Sequence, residues 1–292
     1  MDDKIKKWTI FIIIISATFM STLDGSIVNV ALPKMAEALG VTTSKIQWVV
    51  TSYLVVISAV ILIFGRLGDM FGKTTVFKIG LSLFTLGSFL CGITSSFNIL
   101  ILARVVQAIG AAGTMANNQG IVTEIFPANE RGKALGLIGT AVALGSLVGP
   151  GLGGFIVGSF HWKFIFLINV PIGIIALFYA FKLLPKSNRT SSEKLDIIGA
   201  LLFIFTIIPL FMSLNEGINL GFTSPMILLG FAIAAICFIS FIILEKKISS
   251  PLMQLGIFKN KLFSISIFCG FVSFVAIFCH NIILPFYLQD LM

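Results

Sequence analysis

Nine stretches long and apolar enough to cross a bilayer follow one another along the 292 residues. They lie at about 8–30, 46–66, 75–95, 98–120, 134–158, 164–184, 196–215, 224–245 and 262–286. A helix spanning the hydrocarbon core needs about 20 mostly apolar residues. Strand-like alternation is nowhere sustained, which argues against a β-barrel. A soluble core could not hide these stretches, because only 11% of the residues are charged and the mean hydropathy is +1.06. Soluble domains carry about a quarter charged residues. The longest polar connections, about 181–195 and 246–261, are too short to bury a core of their own. The chain reads as an all-α membrane protein whose first partner is the lipid bilayer.

The opening MDDKIKKWTIFIIIISATFM has the positive start and apolar body of a signal peptide. No small-x-small cleavage site follows it and many further spans do, so it is read as a retained first span. Placing the N-terminus in the cytoplasm puts 16 of the 20 Lys and Arg residues on that side. Only Lys34, Lys45, Arg104 and Lys163 remain for the other half. That asymmetry follows the positive-inside rule and accounts for the net charge of +8 without a nucleic-acid partner.

Cys91, Cys237, Cys269 and Cys279 sit in apolar runs without CxxC spacing, so neither a zinc site nor a disulfide framework is expected. His161 and His280 are far apart, and no nucleophile–base pair is evident. The expectation is no enzyme, no metal and no cofactor.

Three motifs interrupt the apolar spans. GRLGDMFGKT (65–74) joins spans two and three. Its Gly65, Gly68 and Gly72 suit a tight turn between antiparallel helices, and Asp69 and Lys73 supply an acid and a base. An ordinary cytoplasmic loop is the plainer reading of the same residues. LGSLVGPGLGGFIVG (144–158) repeats glycine at Gly145, Gly149 and Gly153, with Gly154 and Gly158 repeating the step. Such ladders let membrane helices approach closely, and Pro150 permits a bend. The same stretch matches a dinucleotide fingerprint, but it follows no strand and lies inside a span. In the fourth span Arg104, Gln107, Thr114 and Asn118 form one polar stripe, suited to lining a water-filled cavity or to hydrogen bonding between helices.

Asp24 and Arg104 are the clearest opposite charges within the spans. Each lies about six residues from the outer end of its helix, roughly 9 Å deep at 1.5 Å per residue. An ionised residue near a helix centre costs about 2.5–3.5 kcal/mol on insertion scales, so pairing, protonation or water must offset it. Asp24 is therefore either a structural partner of Arg104 or a carboxylate that binds and releases protons.

LDGSIVNVALPKM (23–35), GRLGDMFGKT, RVVQAIGAAG (104–113), GSLVGPGLGGFI (145–156), HWKFIFLINVPIG (161–173) and SPLMQLGIFKNKLFS (250–264) occur in this order. Together they resemble the major facilitator superfamily, and within it the 14-span drug:proton antiporter branch. The resemblance implies an N-terminal six-helix bundle (1–190), two extra central helices (191–249), and a linker with the first helix of a C-terminal bundle (250–292). It implies proton-coupled export of amphiphilic compounds across the cell membrane. Asp24 and Arg104 would serve coupling, and Gln107, Thr114 and Asn118 would line the cavity. Gly65, Gly68, Asp69, Gly72 and Lys73 would form the cytoplasmic gate. Gly145, Gly149, Pro150, Gly153 and Gly154 would form the antiporter motif of the bending helix. Thr74 stands where a second basic residue is common. A complete relative would continue through five more spans after LPFYLQDLM. The chain is therefore expected to be a fragment or a truncated product, needing a C-terminal bundle for transport. A non-transporting membrane protein and a nutrient uniporter or symporter are the competing readings.

Overall fold

The computed structural model describes residues 3–185, 195–248 and 250–291, with backbone alone for 3, 4, 277, 278 and 280–291. The elements are α1 (Asp3–Leu39), α2 (Thr43–Ile46), α3 (Trp48–Phe71), α4 (Lys73–Ile93), α5 (Phe97–Ile125), α6 (Ala128–Ser159), α7 (Phe164–Leu167), α8 (Asn169–Leu183), α9 (Ile197–Leu220), α10 (Pro225–Glu245) and α11 (Lys261–Leu291). A short 3₁₀ turn, Leu255–Lys259, precedes α11, and no strand occurs among the described residues.

Among the described residues, eight helical segments are long and apolar enough to cross a membrane, with α2–α3 and α7–α8 each counting as one. They match the first eight expected spans. The ninth, 262–286, falls on α11, whose described apolar part ends at Ala276 and is shorter than a full span. The rest of its side chains, and the expected boundary at residues 190 and 191, lie outside the described residues. The expected loop Gly72 has φ +94, a conformation few other residues tolerate, and it closes α3 and opens α4 within one residue.

Small residues decide which helices touch. On α6, a Cβ added at Gly145 would come within 3.0 Å of Thr22, and one at Gly149 would collide with Ser26. One at Gly153 would meet the main-chain oxygen of Ile27 at 2.9 Å. This ladder seats α6 directly on α1, and Ser26 donates its hydroxyl to the main-chain oxygen of Gly145 at 2.9 Å. Gly151, Gly154 and Gly158 meet nothing, so the second half of the expected glycine pattern faces away from α1. A comparable seam joins α4 to α5, where Cβ atoms on Gly80 and Gly87 would strike the backbone of Gly110 at 2.8 Å and of Gln107 at 2.5 Å. Bilayer-embedded helices gain no hydrophobic driving force from lipid tails, so such backbone-close seams carry the packing.

Aromatic and ionic contacts close the end of the bundle that holds the N-terminus. Trp8, Phe11 and Phe126 stack edge to face, and Lys7 pairs with Glu130 at 2.5 Å. The α9–α10 hairpin joins the bundle where α9 lies along α3, and Asn219 donates to Ser44 at 3.3 Å at the opposite end. Asp196 caps α9 by accepting from the Gly199 amide at 2.9 Å. Glu245, the last residue of α10, lies within electrostatic reach of Asp196 and Arg66. Its carboxylate accepts from the backbone amides of Leu252 and Met253, fixing the connection toward α11.

Candidate functional site

The α1–α6 ladder determines where Asp24 points. Thr22, Leu23, Ser26 and Ile27 form the face pressed on α6, and Asp24 lies roughly 130° further round the helix at 100° per residue. It is aimed inward, toward α5 and the start of α8, and is fully buried. The α4–α5 seam does the same for α5. With Gly87 against the Gln107 backbone, the Gln107 amide reaches Ser88 on α4 and Asp24 on α1 together.

Five helical segments thus supply one closed polar cluster. Arg104 Nη1 donates to Asp24 Oδ2 in a direct ion pair, both side chains being 0% exposed. The same Nη1 donates to Gln107 Oε1 at 2.7 Å, and Nε donates to the main-chain oxygen of Val49 at 2.9 Å. Asp24 Oδ1 accepts from Gln107 Nε2 at 2.8 Å and from Asn169 Nδ2 at 3.3 Å. The guanidinium carbon stands 4.1 Å from the Tyr53 ring centroid and 5.5 Å from that of Phe166. Tyr53 donates its hydroxyl to the main-chain oxygen of Ser21 at 3.1 Å. The Cys91 thiol donates to Gln107 Oε1 at 3.8 Å.

Taking two charges out of water is repaid only when geometry is good and the remaining donors and acceptors are met. Here nearly every one is met, with two exceptions. Arg104 Nη2 and Asn169 Oδ1 are buried without a hydrogen-bond partner. Chemically the cluster can hold an ionised carboxylate beside a fixed cation. It also offers that cation other contacts should the carboxylate be neutralised.

The structure brings Asp24, Arg104 and Gln107 together and leaves Thr114 and Asn118 apart from them. Thr114 donates to the main-chain oxygen of Ala111 at 2.8 Å, and Asn118 donates to Thr18 Oγ1 at 2.8 Å. Both are buried between helices. Three members went unnoticed in the sequence: Asn169, Tyr53 and Ser88. Asn169 sits where the sixth span breaks between α7 and α8. Pro171 has no amide hydrogen to offer the oxygen four residues earlier, and that was the available signal.

In the 65–74 motif, a Cβ on Gly68 would collide with Asn117 of α5, so that glycine is a contact point between helices. Lys73 Nζ reaches Glu124 Oε1 at 2.7 Å and Asp69 Oδ1 at 3.9 Å, while Gly65 meets nothing. Pro150 lies inside α6 on an exposed position.

The description "Major Facilitator Superfamily" matches residues 14–292. The chain belongs to the major facilitator superfamily. Members of this superfamily are transporters, and this one is a multi-pass membrane protein. It is 41% identical to "Riboflavin transporter RibZ" of Clostridioides difficile (strain 630), over 98% of this chain and 62% of that one. It is 34% identical to "Multidrug transporter protein MdtP" of Bacillus subtilis (strain 168), over 95% of this chain and 51% of that one. The chain therefore spans between half and two thirds of these relatives' length. The fold is similar to that of a bacterial homologue of the human lysosomal transporter Spinster, crystallised inward-facing and unoccupied. The TM-score is 0.53 at 14% identity, over 84% of this chain and 63% of that one.

Proposed function

We propose that this major facilitator chain is the N-terminal part of a proton-coupled exporter of amphiphilic drugs or toxic compounds, working by alternating access in the cell membrane with its N-terminus cytoplasmic. The observation that carries the reading is the Asp24–Arg104 pair, wholly buried and hydrogen-bonded by Val49, Gln107 and Asn169. A carboxylate in such a place is costly to keep for packing alone, and buried ionisable groups in membrane spans mark proton and substrate paths. Proton binding at Asp24 would release Arg104 from it, and a change in the wetting of the cluster would drive the proton off again. In alternating access one bundle rocks against the other around such a central site.

The remaining residues take supporting parts. Gln107 positions the pair, and Thr114 and Asn118 continue the stripe that would line the cavity when the bundles open. Gly65, Gly68, Asp69, Gly72 and Lys73 form the cytoplasmic gate. Gly145, Gly149, Pro150, Gly153 and Gly154 form the bending helix that carries α1. The C-terminal bundle completes the transport path.

A second reading has its own observation. The relative at 41% identity is named a riboflavin transporter, so a planar, aromatic nutrient is the alternative substrate class. Proteoliposomes with an acidic lumen separate the two when the protein, expressed with all of its coding sequence, is supplied with ethidium or riboflavin outside. Ethidium accumulation that collapses with the pH gradient is the expected result. Riboflavin uptake without ethidium uptake, indifferent to the gradient, would replace export with nutrient transport.

A further inference from the structure

We infer that Asn169 is the acceptor of the Asp24 proton, through a turnover of its side-chain amide that accompanies protonation. The inference rests on the reading of Asp24 as a proton-exchanging group and names the residue that makes the neutral acid tolerable.

As structured, Asp24 is surrounded by donors: Arg104 Nη1 at Oδ2, and Gln107 Nε2 and Asn169 Nδ2 at Oδ1. That suits an ionised carboxylate, which only accepts. When a proton from water adds to Oδ1, the group becomes an O–H donor and needs an acceptor beside it, since an unmet buried donor is costly. The neighbouring acceptors are mostly engaged. Gln107 Oε1 accepts from Arg104 and Cys91, Val49 O from Arg104, and Ser21 O from Tyr53. Ser88 Oγ accepts from Gln107 and donates to Phe84 O at 2.8 Å.

Asn169 differs. Its Oδ1 is buried, has no partner, and belongs to the same amide whose Nδ2 already touches Asp24 Oδ1. Half a turn about the terminal side-chain torsion exchanges the two atoms. The Asp24 O–H then donates to Asn169 Oδ1 where Asn169 Nδ2 formerly donated to the carboxylate. The turnover breaks no hydrogen bond of Asn169 besides the one it replaces, because the amide nitrogen takes the unpartnered place that Oδ1 held before. The pair gains one positive charge, which stays on Arg104. Arg104 keeps Val49 O, Gln107 Oε1 and the Tyr53 and Phe166 ring faces. The titratable groups facing Asp24 are Arg104 of α5, Tyr53 of α3 and Cys91 of α4; among the described residues α6, α7 and α8 present none there.

Infrared difference spectra of the lipid-reconstituted protein, recorded between high and low pH, test this. The carboxylic C=O band that vanishes in Asp24→Asn belongs to Asp24. Its frequency falls when the acid donates a hydrogen bond. The band is expected to move to higher frequency in Asn169→Leu and to stay in place in Tyr53→Phe. Asn169→Val carries the same expectation should the leucine variant not fold. A band unmoved in the folded variant overturns the role of Asn169 and leaves proton binding at Asp24 intact. A native protein without any Asp24 band overturns both.

Discussion

The Arg104 guanidinium lies over the Tyr53 ring, 4.1 Å from its centroid, while the Tyr53 hydroxyl ties the same ring to Ser21 of α1. One side chain of α3 thereby holds both members of the central pair, the cation directly and the carboxylate through the backbone of α1. Desolvated cation–π contacts are worth about 2 kcal/mol and a neutral hydrogen bond about 1 kcal/mol. Tyr53→Phe should therefore cost about 1 kcal/mol of stability, and Tyr53→Leu about 3 kcal/mol. Thermal unfolding in detergent, with the Arg104→Leu background as the second arm, checks the split. The gap between the Phe and Leu variants should vanish in that background.

The glycine ladder separates into two faces that substitution distinguishes. Gly149 is pressed on Ser26, so Gly149→Ala should overpack the α1–α6 seam at a cost of about 1–3 kcal/mol and displace Asp24 two residues away along α1. Gly154 meets nothing, and Gly154→Ala should be neutral or stabilising by up to about 1 kcal/mol through helix propensity. Melting temperatures of the two variants provide the comparison, and equal losses at both positions would contradict the seating of α6.

Spans one to eight were legible because a lipid-length apolar run has no other use. Depth counting along α1 and α5 placed Asp24 and Arg104 opposite each other for the same reason: a helix converts sequence distance to depth at a fixed rate. The face each residue presents was less legible. Gly145, Gly149, Gly151, Gly153, Gly154 and Gly158 look alike in sequence, yet only three of them touch α1. Asn169 was hidden because its approach to Asp24 depends on the break before α8 and on the seating of Gly173 against Thr85 of α4, neither of which a single helix reveals. The stripe of Arg104, Gln107, Thr114 and Asn118 on α5 follows from helical spacing alone. Its members answer to different neighbours, Arg104 and Gln107 to Asp24, and Asn118 to Thr18.

Glu245 anchors the connection that leads from α10 toward α11. Its carboxylate accepts from the amides of Leu252 and Met253, and hydrogen bonds to a charged group contribute about 1.5–3 kcal/mol. Glu245→Gln presents an NH2 to one of those donors and should free the 250–254 connection. Hydrogen exchange at Leu252 and Met253 should accelerate at least tenfold, with exchange in α9 changed far less. Unchanged exchange at both amides would show that the connection is held by other contacts.

The most direct test of proton exchange at Asp24 compares two modes of transport in one variant. Asp24→Asn keeps the size of the side chain and one carbonyl acceptor for Arg104 but cannot take up a proton. In proteoliposomes it is expected to exchange labelled for unlabelled substrate at a rate near that of the native protein, while uptake driven by an acidic lumen falls to the level of empty liposomes. Uptake driven by the pH gradient at the native rate in Asp24→Asn would contradict it.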